Sequence, residues 1–259
     1  MRTAISREQS RGPAFVAELD PEIIEHVPAT HRALATRDLR VMVSRVGRGS
    51  WQPGALEPEA TVGLLVLDGV AFRRIEVGGR CAGDLVGAGD LLRPWETDVD
   101  FTILPADVEW QVLQPLTVAL VDEPFVARAA RWPGVMSCLM GRAVRRTRMV
   151  TLQFALAQRV RSEERLLLVL WELAQRWGKV TPDGVVLPIA LRHHHLATLV
   201  ASLRPSVTLG LQRLAARGLV QRRTDGYLLL GAPRDAWAEL GHGANGAHEP
   251  HAQHVGLGS

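Results

Sequence analysis

Short apolar stretches punctuated by Gly, Pro and Asp run from about Leu39 to Asp122, as in Leu39-Arg40-Val41-Met42-Val43, Gly63-Leu64-Leu65-Val66-Leu67 and Leu116-Thr117-Val118-Ala119-Leu120. Each is too short for a helix and is bounded by turn residues, so the pattern predicts strands. Asp68-Gly69, Gly78-Gly79 and Gly87-Ala88-Gly89-Asp90 recur at the spacing of turns in a small antiparallel barrel or jelly roll.

After Pro124 the period changes. Phe125 to Trp132 reads as a short helix, and the stretch from Pro133 to about Arg161, weakened only at Gly134 and Gly141, reads as one long helix. Met136, Met140, Ala143, Thr147, Val150, Phe154 and Ala157 follow alternating steps of four and three, which places them on one seam of the kind two helices share. Arg142, Arg145, Arg146 and Arg148 occupy the opposite face. The seam is therefore assigned to a second copy of the chain, in a homodimer, rather than to the chain's own barrel.

Ser162, followed by Glu163 and Glu164, has the features of a helix start: a hydroxyl to cap free N–H groups and acids at the positive end of the dipole. That helix carries Leu166 to Trp171, runs to about Trp177 and stops at Gly178, before a short hairpin over 180–185. Between Leu191 and Leu230 the order is helix, tight turn near Ala201-Ser202-Leu203, helix, then two strands joined by Asp225-Gly226. This is the order of a winged helix-turn-helix. Val207, Leu211 and Leu214 form the buried stripe of its second helix, and Pro205 suits a first turn whose N–H has no partner. From Gly241 the chain loses its apolar period and becomes rich in Gly and His, which predicts a disordered tail.

The expected fold class is thus α+β, with an antiparallel jelly-roll barrel over 1–128, a dimerisation helix over 129–161, a winged helix-turn-helix over 162–240 and the tail over 241–259. An apolar fraction of 47% with 22% charged residues supports folded domains of this kind. No apolar run approaches the roughly 20 residues of a membrane span, and the N-terminal segment lacks an apolar signal-peptide centre, so no membrane partner is expected. The expected location is the cytoplasm, and the nucleoid when DNA is bound. Cys81 and Cys138 are too few for a disulfide framework or an iron-sulfur site, and both read as packed thiols.

Charge sharpens the functional reading. Residues 1–127 carry 12 basic and 19 acidic side chains, 128–160 carry 7 basic and none acidic, and 161–240 carry 11 and 7. Such clustering points to a polyanion partner for the later segments. A helix fits the major groove, where side chains near its N-terminus reach base edges and its positive end faces phosphate. Arg204 is placed to read a guanine, and Pro205, Thr208, Leu209 and Gln212 share its outward face. Ser206 and Arg213 suit phosphate contacts, and Arg222 and Arg223 flank the wing, where basic groups meet the adjacent backbone. The expected partner is double-stranded DNA, with protein contacts as the alternative use of the same unit.

The whole arrangement resembles the Crp/Fnr family of regulators. The resemblance rests on Gly83-Asp84-Leu85-Val86-Gly87 in place of the family's Gly-Asp/Glu-x-x-Gly turn, on the long helix, and on Arg204-Pro205-Ser206-Val207 in place of its Arg-x-Ser/Thr-Val. It implies a homodimeric transcriptional regulator and no enzyme, an effector pocket near Gly83, Asp84, Gly87, Ala88 and Thr147, and RNA polymerase as a further partner. Two departures stand out. Ala88 occupies the place of the Glu that holds the ribose of a cyclic nucleotide, and Asp98-Val99-Asp100-Phe101-Thr102 falls where a phosphate cassette would. Two carboxylates repel a cyclic phosphate, so cyclic AMP and cyclic GMP are not expected as ligands there. Pro205 and Leu209 replace two of the usual base readers, so the family's operator sequence does not transfer.

Other chemistry fares less well. His193, His194 and His195 are consecutive on a helix and point in three directions, which disfavours a shared metal ion. A metal-dependent barrel enzyme would need clustered His ligands, and there is no histidine between His31 and His193. No cofactor is predicted, and the effector stays unnamed.

Overall fold

The computed structural model describes residues 8–53, 61–93 and 106–231. The Asp98 to Thr102 segment and the Gly/His-rich tail from Gly241 lie outside them. In chain order the elements are β1 (Glu8–Phe15), α1 (Val16–Leu19), two 3-10 turns (Pro21–Ile24 and Ala29–His31), α2 (Arg32–Asp38), β2 (Arg40–Val46), β3 (Gly49–Trp51), β4 (Thr61–Val77), β5 (Arg80–Gly87), β6 (Leu91–Leu92) and β7 (Asp107–Asp122). The helical half follows with α3 (Glu123–Ala129), α4 (Pro133–Ala157), α5 (Ser162–Trp177), β8 (Lys179–Thr181), β9 (Gly184–Leu187), α6 (His193–Leu199), α7 (Arg204–Ala216), β10 (Val220–Arg223) and β11 (Gly226–Leu229). This is the α+β class, an antiparallel barrel followed by a helical half with a small wing sheet.

The barrel is one antiparallel sheet in the order β1-β2-β7-β4-β5, with β3 added to β7 and β6 to β4. Strands β4 and β7 pair from Thr61↔Asp122 to Glu76↔Asp107, so two long strands serve both halves of the roll. Asp68-Gly69, expected as a turn, is instead a bulge inside β4, where the register against β7 shifts. The reason lies in the backbone: Gly69 has φ +89°, and a Cβ there would stand 2.0 Å from the Pro115 carbonyl oxygen. Glycine permits a bend without breaking the strand. Gly78-Gly79 does close the β4–β5 hairpin, between Val77 and its partner Arg80.

Residues 16–38, for which the apolar pattern predicted no element, form α1, the 3-10 turns and α2. They pack Val16, Ile23, Val27 and Ala35 with Phe125 and Ala129 of α3 and Val135 and Leu139 of α4. Helix α4 begins at Pro133, suited to the first turn. It ends at Ala157 rather than near Arg161, where Arg165 of α5 donates to the Ala157 carbonyl at 3.3 Å. The N-cap of α5 is Arg161, and no side chain caps it, so the Ser162 hydroxyl does not play the capping part expected of it. Glu163 and Glu164 do lie in the first turn.

The clustered arginines after residue 128 find acids within the chain. Arg142 is only 2% exposed and pairs with Asp20 and Glu22; Arg145 pairs with Glu22 and Arg131 with Asp38. Arg146 pairs with Asp84 and Asp90, and Arg128 donates to the carbonyls of Asp38 and Arg40. The basic stretch therefore closes α3 and α4 onto the acidic barrel, and the polyanion reading does not hold for most of it. The expected seam points the other way: Met140 is 67% and Phe154 68% exposed, and Met136, Thr147 and Val150 are also exposed, with Ala143 and Ala157 half-buried.

Candidate nucleic-acid interface

Helices α6 and α7 are joined by a tight turn in which Ala201 takes φ +46°. Leu196 and Leu199 of α6, Val207 and Leu214 of α7 and Leu170 and Leu173 of α5 share one core with Tyr227 and Leu229 of the wing. The wing sheet runs β10-β11-β9-β8, with Arg222↔Tyr227 and Arg223↔Gly226 in register. The buried Tyr227 hydroxyl donates to the Leu191 carbonyl at 2.9 Å, tying the wing to the start of α6. Burial of one face of α7 leaves its other face outward.

That outward face carries the expected residues. Arg204, Pro205, Leu209, Gln212 and Arg213 are exposed, and Ser206 and Thr208 are half-buried. The Thr208 hydroxyl donates to the Arg204 carbonyl at 3.1 Å and lies 2.9 Å from Nδ1 of His193. Thr208, Gln212, His193 and Arg222 line one shallow cavity of about 270 Å³ beside the wing. Arg213 pairs with Glu163 at 3.3 Å, and Arg223 lies 4.0 Å from Asp183, so these two cations are partly engaged within the chain. Leu203, in the turn just before α7, is an apolar side chain 74% exposed.

The three histidines do not all diverge, as their spacing had suggested: His193 stands apart, and the His194 and His195 rings lie together. His193 meets Thr208, the ring of His194 stands 4.0 Å from that of His195, and His195 turns inward. The His193 pKa is lowered by burial and then by Arg222 and Arg204, and that of His194 by burial and then by Arg192 and Arg204. These arginines make the surface around α6 and α7 positive enough to oppose protonation of its own histidines. His193 was legible as a polar helix start, but its place beside Arg222 depends on how the wing folds back.

His195 is a different case. Its Nδ1 accepts the Arg192 N–H at 3.1 Å, so Nε2 carries the proton and donates to Oε1 of Gln111 on β7 at 3.0 Å. Burial, then His194 and Arg192, push its pKa down to about 4, keeping the ring neutral. Gln114 donates to the Pro188 carbonyl at 2.6 Å, and Val70, Phe72 and Leu85 of the barrel join the core of the helical half.

The effector residues read from the sequence sit at this same junction. A Cβ at Gly83 would stand 2.9 Å from the Thr198 methyl, and one at Gly87 2.8 Å from the Trp177 ring. Asp84 is buried and pairs with Arg73 and Arg146, while Arg176 of α5 donates to the carbonyls of Gly87 and Ala88. The α4 residue that meets Asp84 is Arg146; Thr147 is exposed and its hydroxyl donates to the Ala143 carbonyl at 3.2 Å. Cys138 is buried, which pushes its thiol up, whereas half-buried Cys81 lies among Arg74 and Glu76 rather than in an apolar packing site. Among the described residues no helix is long and apolar enough to cross a membrane.

No protein-family profile matches the chain, and no curated protein matches it in sequence. Solved structures do match. A CooA mutant from Carboxydothermus hydrogenoformans aligns with TM-score 0.58 and 15% identity over 91% of this chain and 99% of its own. The c-di-GMP-responsive global regulator CLP of Xanthomonas campestris aligns with TM-score 0.55 and 16% identity over 77% and 100%. FixK2 from Bradyrhizobium japonicum aligns with TM-score 0.53 and 17% identity over 70% and 88%. At these identities the likeness is one of fold, and the fold is that of the Crp/Fnr-type transcriptional regulators.

Proposed function

We propose that the chain is a homodimeric transcriptional regulator, not an enzyme, that sets the α7 helix of each copy into successive major grooves of a near-palindromic duplex. The observation that carries this is the outward face of α7, with Arg204, Leu209 and Gln212 exposed beside the wing arginine Arg222. Arg204 lies at the helix start, where a guanidinium forks onto guanine, and Leu209 supplies an apolar contact of the kind a thymine methyl takes. Arg222 and His193 supply phosphate contacts.

The exposed seam of α4 supports the dimer. Met136, Met140, Val150 and Phe154 form an apolar stripe that faces away from the barrel, because the opposite face is held by ion pairs from Arg142 and Arg146. Reading successive major grooves requires that two-fold pairing through this stripe hold the two α7 helices about 34 Å apart, one turn of B-DNA. Control by a cyclic nucleotide at the Gly-rich turn is not part of this reading: Ala88 offers no carboxylate, and Trp177 and Arg176 already cover the turn.

Binding of the full chain to a duplex of random sequence, followed by fluorescence anisotropy across a salt series, tests the phosphate part. The expected result is affinity falling steeply with log salt, with a shallower slope and uniformly weaker binding for Arg222→Ala. Salt-independent binding, or no binding at low salt, contradicts the reading.

A further inference from the structure

Two cavities meet between α4 and α5. One, of about 430 Å³, is lined by the Ala88 to Asp90 turn, by Arg142, Arg145 and Arg146 of α4 and by Arg176 of α5. The other, of about 570 Å³, lies further along the helices against Leu152, Leu156, Leu168, Trp171 and Val185. Glu172 and Gln175 line both, so the two form one groove with a charged end and an apolar end.

Each arginine at the charged end has a carboxylate: Arg142 has Asp20, Arg145 has Glu22, Arg146 has Asp84, and Arg176 has Asp90 at 2.7 Å. Asp84 is shared with Arg73, so arginines and acids balance, but Glu172 forms no ion pair among the described residues. It is 8% exposed, and its Oε2 is buried without a hydrogen-bond partner. The indole Nε1 of the neighbouring Trp171 is buried without a partner as well. A buried carboxylate oxygen left unpaired costs free energy until a proton or a donor reaches it.

We propose that this groove binds a small organic cation, an ammonium head on an apolar body, with the head at Glu172 and the body along Leu152, Leu156, Leu168 and Trp171. An ammonium N–H donates to the unpartnered Glu172 oxygen and pairs its charge, whereas an organic anion would set a second negative charge against it. The apolar end takes a body that the charged end would reject. A second copy of the chain does not fill the groove in the proposed dimer, because Leu152 and Leu156 lie between the seam positions, on the flank of α4 that faces α5. The occupant would touch both α4, which carries the seam, and α5, which shares a core with α6 and α7.

Protons compete for the same oxygen, which gives the site a signature. Burial raises the Glu172 pKa to about 7; Arg176 on its own helix and Arg146 on α4 oppose the shift, and Asp84 on β5 adds to it. Asp90, from the turn, faces the same end through its pair with Arg176. An alkylammonium stays charged across this range, so affinity should rise with pH as Glu172 ionises.

Titration calorimetry on the full chain with phenethylammonium chloride, 3-phenylpropionate and 2-phenylethanol, at pH 6 and pH 8, tests the proposal. Phenethylammonium is expected to bind, at least about fivefold more tightly at pH 8, and Glu172→Gln is expected to weaken it about tenfold or more while the variant stays folded. Leu156→Trp, which fills the apolar end, should also abolish binding. Absence of binding at millimolar concentration, equal binding by Glu172→Gln, or equal or tighter binding of the propionate or the alcohol overturns it. None of these readouts involves DNA, so this inference and the proposed function fail separately.

Discussion

Arg204 is exposed at the first turn of α7, with no hydrogen bond or ion pair from its side chain among the described residues. Arg204→Ala is expected to cost roughly 1 to 3 kcal/mol and to relax preference at one base position. Competition binding against single-base variants of a selected site checks this. Glu172 and His195 are buried titratable groups with opposite consequences. A carboxyl whose folded pKa is raised from 4.5 to about 7 holds its proton better in the folded chain than in the unfolded one. Its contribution to stability is therefore complete below about pH 4.5 and is lost as pH rises through 7. Glu172→Gln should leave stability near that of the parent chain at pH 5 and raise it by up to about 3 kcal/mol at pH 8. Denaturant unfolding at the two pH values measures the difference, and a constant offset would contradict a buried ionising carboxyl. His195, lowered to about 4, acts in the other direction: its stabilising neutral form is present above pH 6.5 and is lost as pH falls toward 4.

At the scale of elements, α4 has two faces with different tasks. Cys138, Leu139 and Arg142 turn toward the chain's own acidic barrel, and Met136, Met140, Val150 and Phe154 turn outward. Met140→Glu places like charges near the two-fold axis and should weaken self-association by several kcal/mol without unfolding the chain. Sedimentation velocity with circular dichroism separates the two effects, and an unchanged oligomer would remove the seam from the interface. Periodicity made this helix and its seam legible, because alternating steps of four and three appear only when one face is treated differently. The same pattern could not tell which acids the arginines meet, since Asp20, Glu22 and Asp84 lie some 60 to 120 residues away in the chain. Residues 16–38 were illegible for a related reason: their helices are one or two turns long and are stabilised by packing on α3 and α4 rather than by propensity. Asp68-Gly69 carries turn chemistry, and only pairing with β7 reveals a bulge.

For the molecule as a whole, barrel and helical half share a core. Phe72 and Leu85 of the barrel pack in one cluster with Leu173, Leu196 and Leu199, and His195–Gln111 and Gln114–Pro188 bond across the same boundary. A shared core couples the two halves, so calorimetry should give a single unfolding transition, and two well-separated transitions would contradict the docking described. The order of elements from barrel to wing could be read in advance, because turn residues and changes of period mark it. How the halves dock could not, because Gly83 against Thr198 and Gly87 against Trp177 are long-range contacts with no local pattern. A dimer that reads duplex DNA with α7 must select sequence, and select it symmetrically. Selection of bound sequences from a random DNA pool at a fixed salt concentration, with no nucleotide added, measures this. The expected result is enrichment of an inverted repeat whose half-site centres lie about 10 base pairs apart, with one position losing information for Arg204→Ala. A bound pool indistinguishable from the input, or the same motif with and without the Arg204 side chain, would rule out α7 as the reader of the duplex.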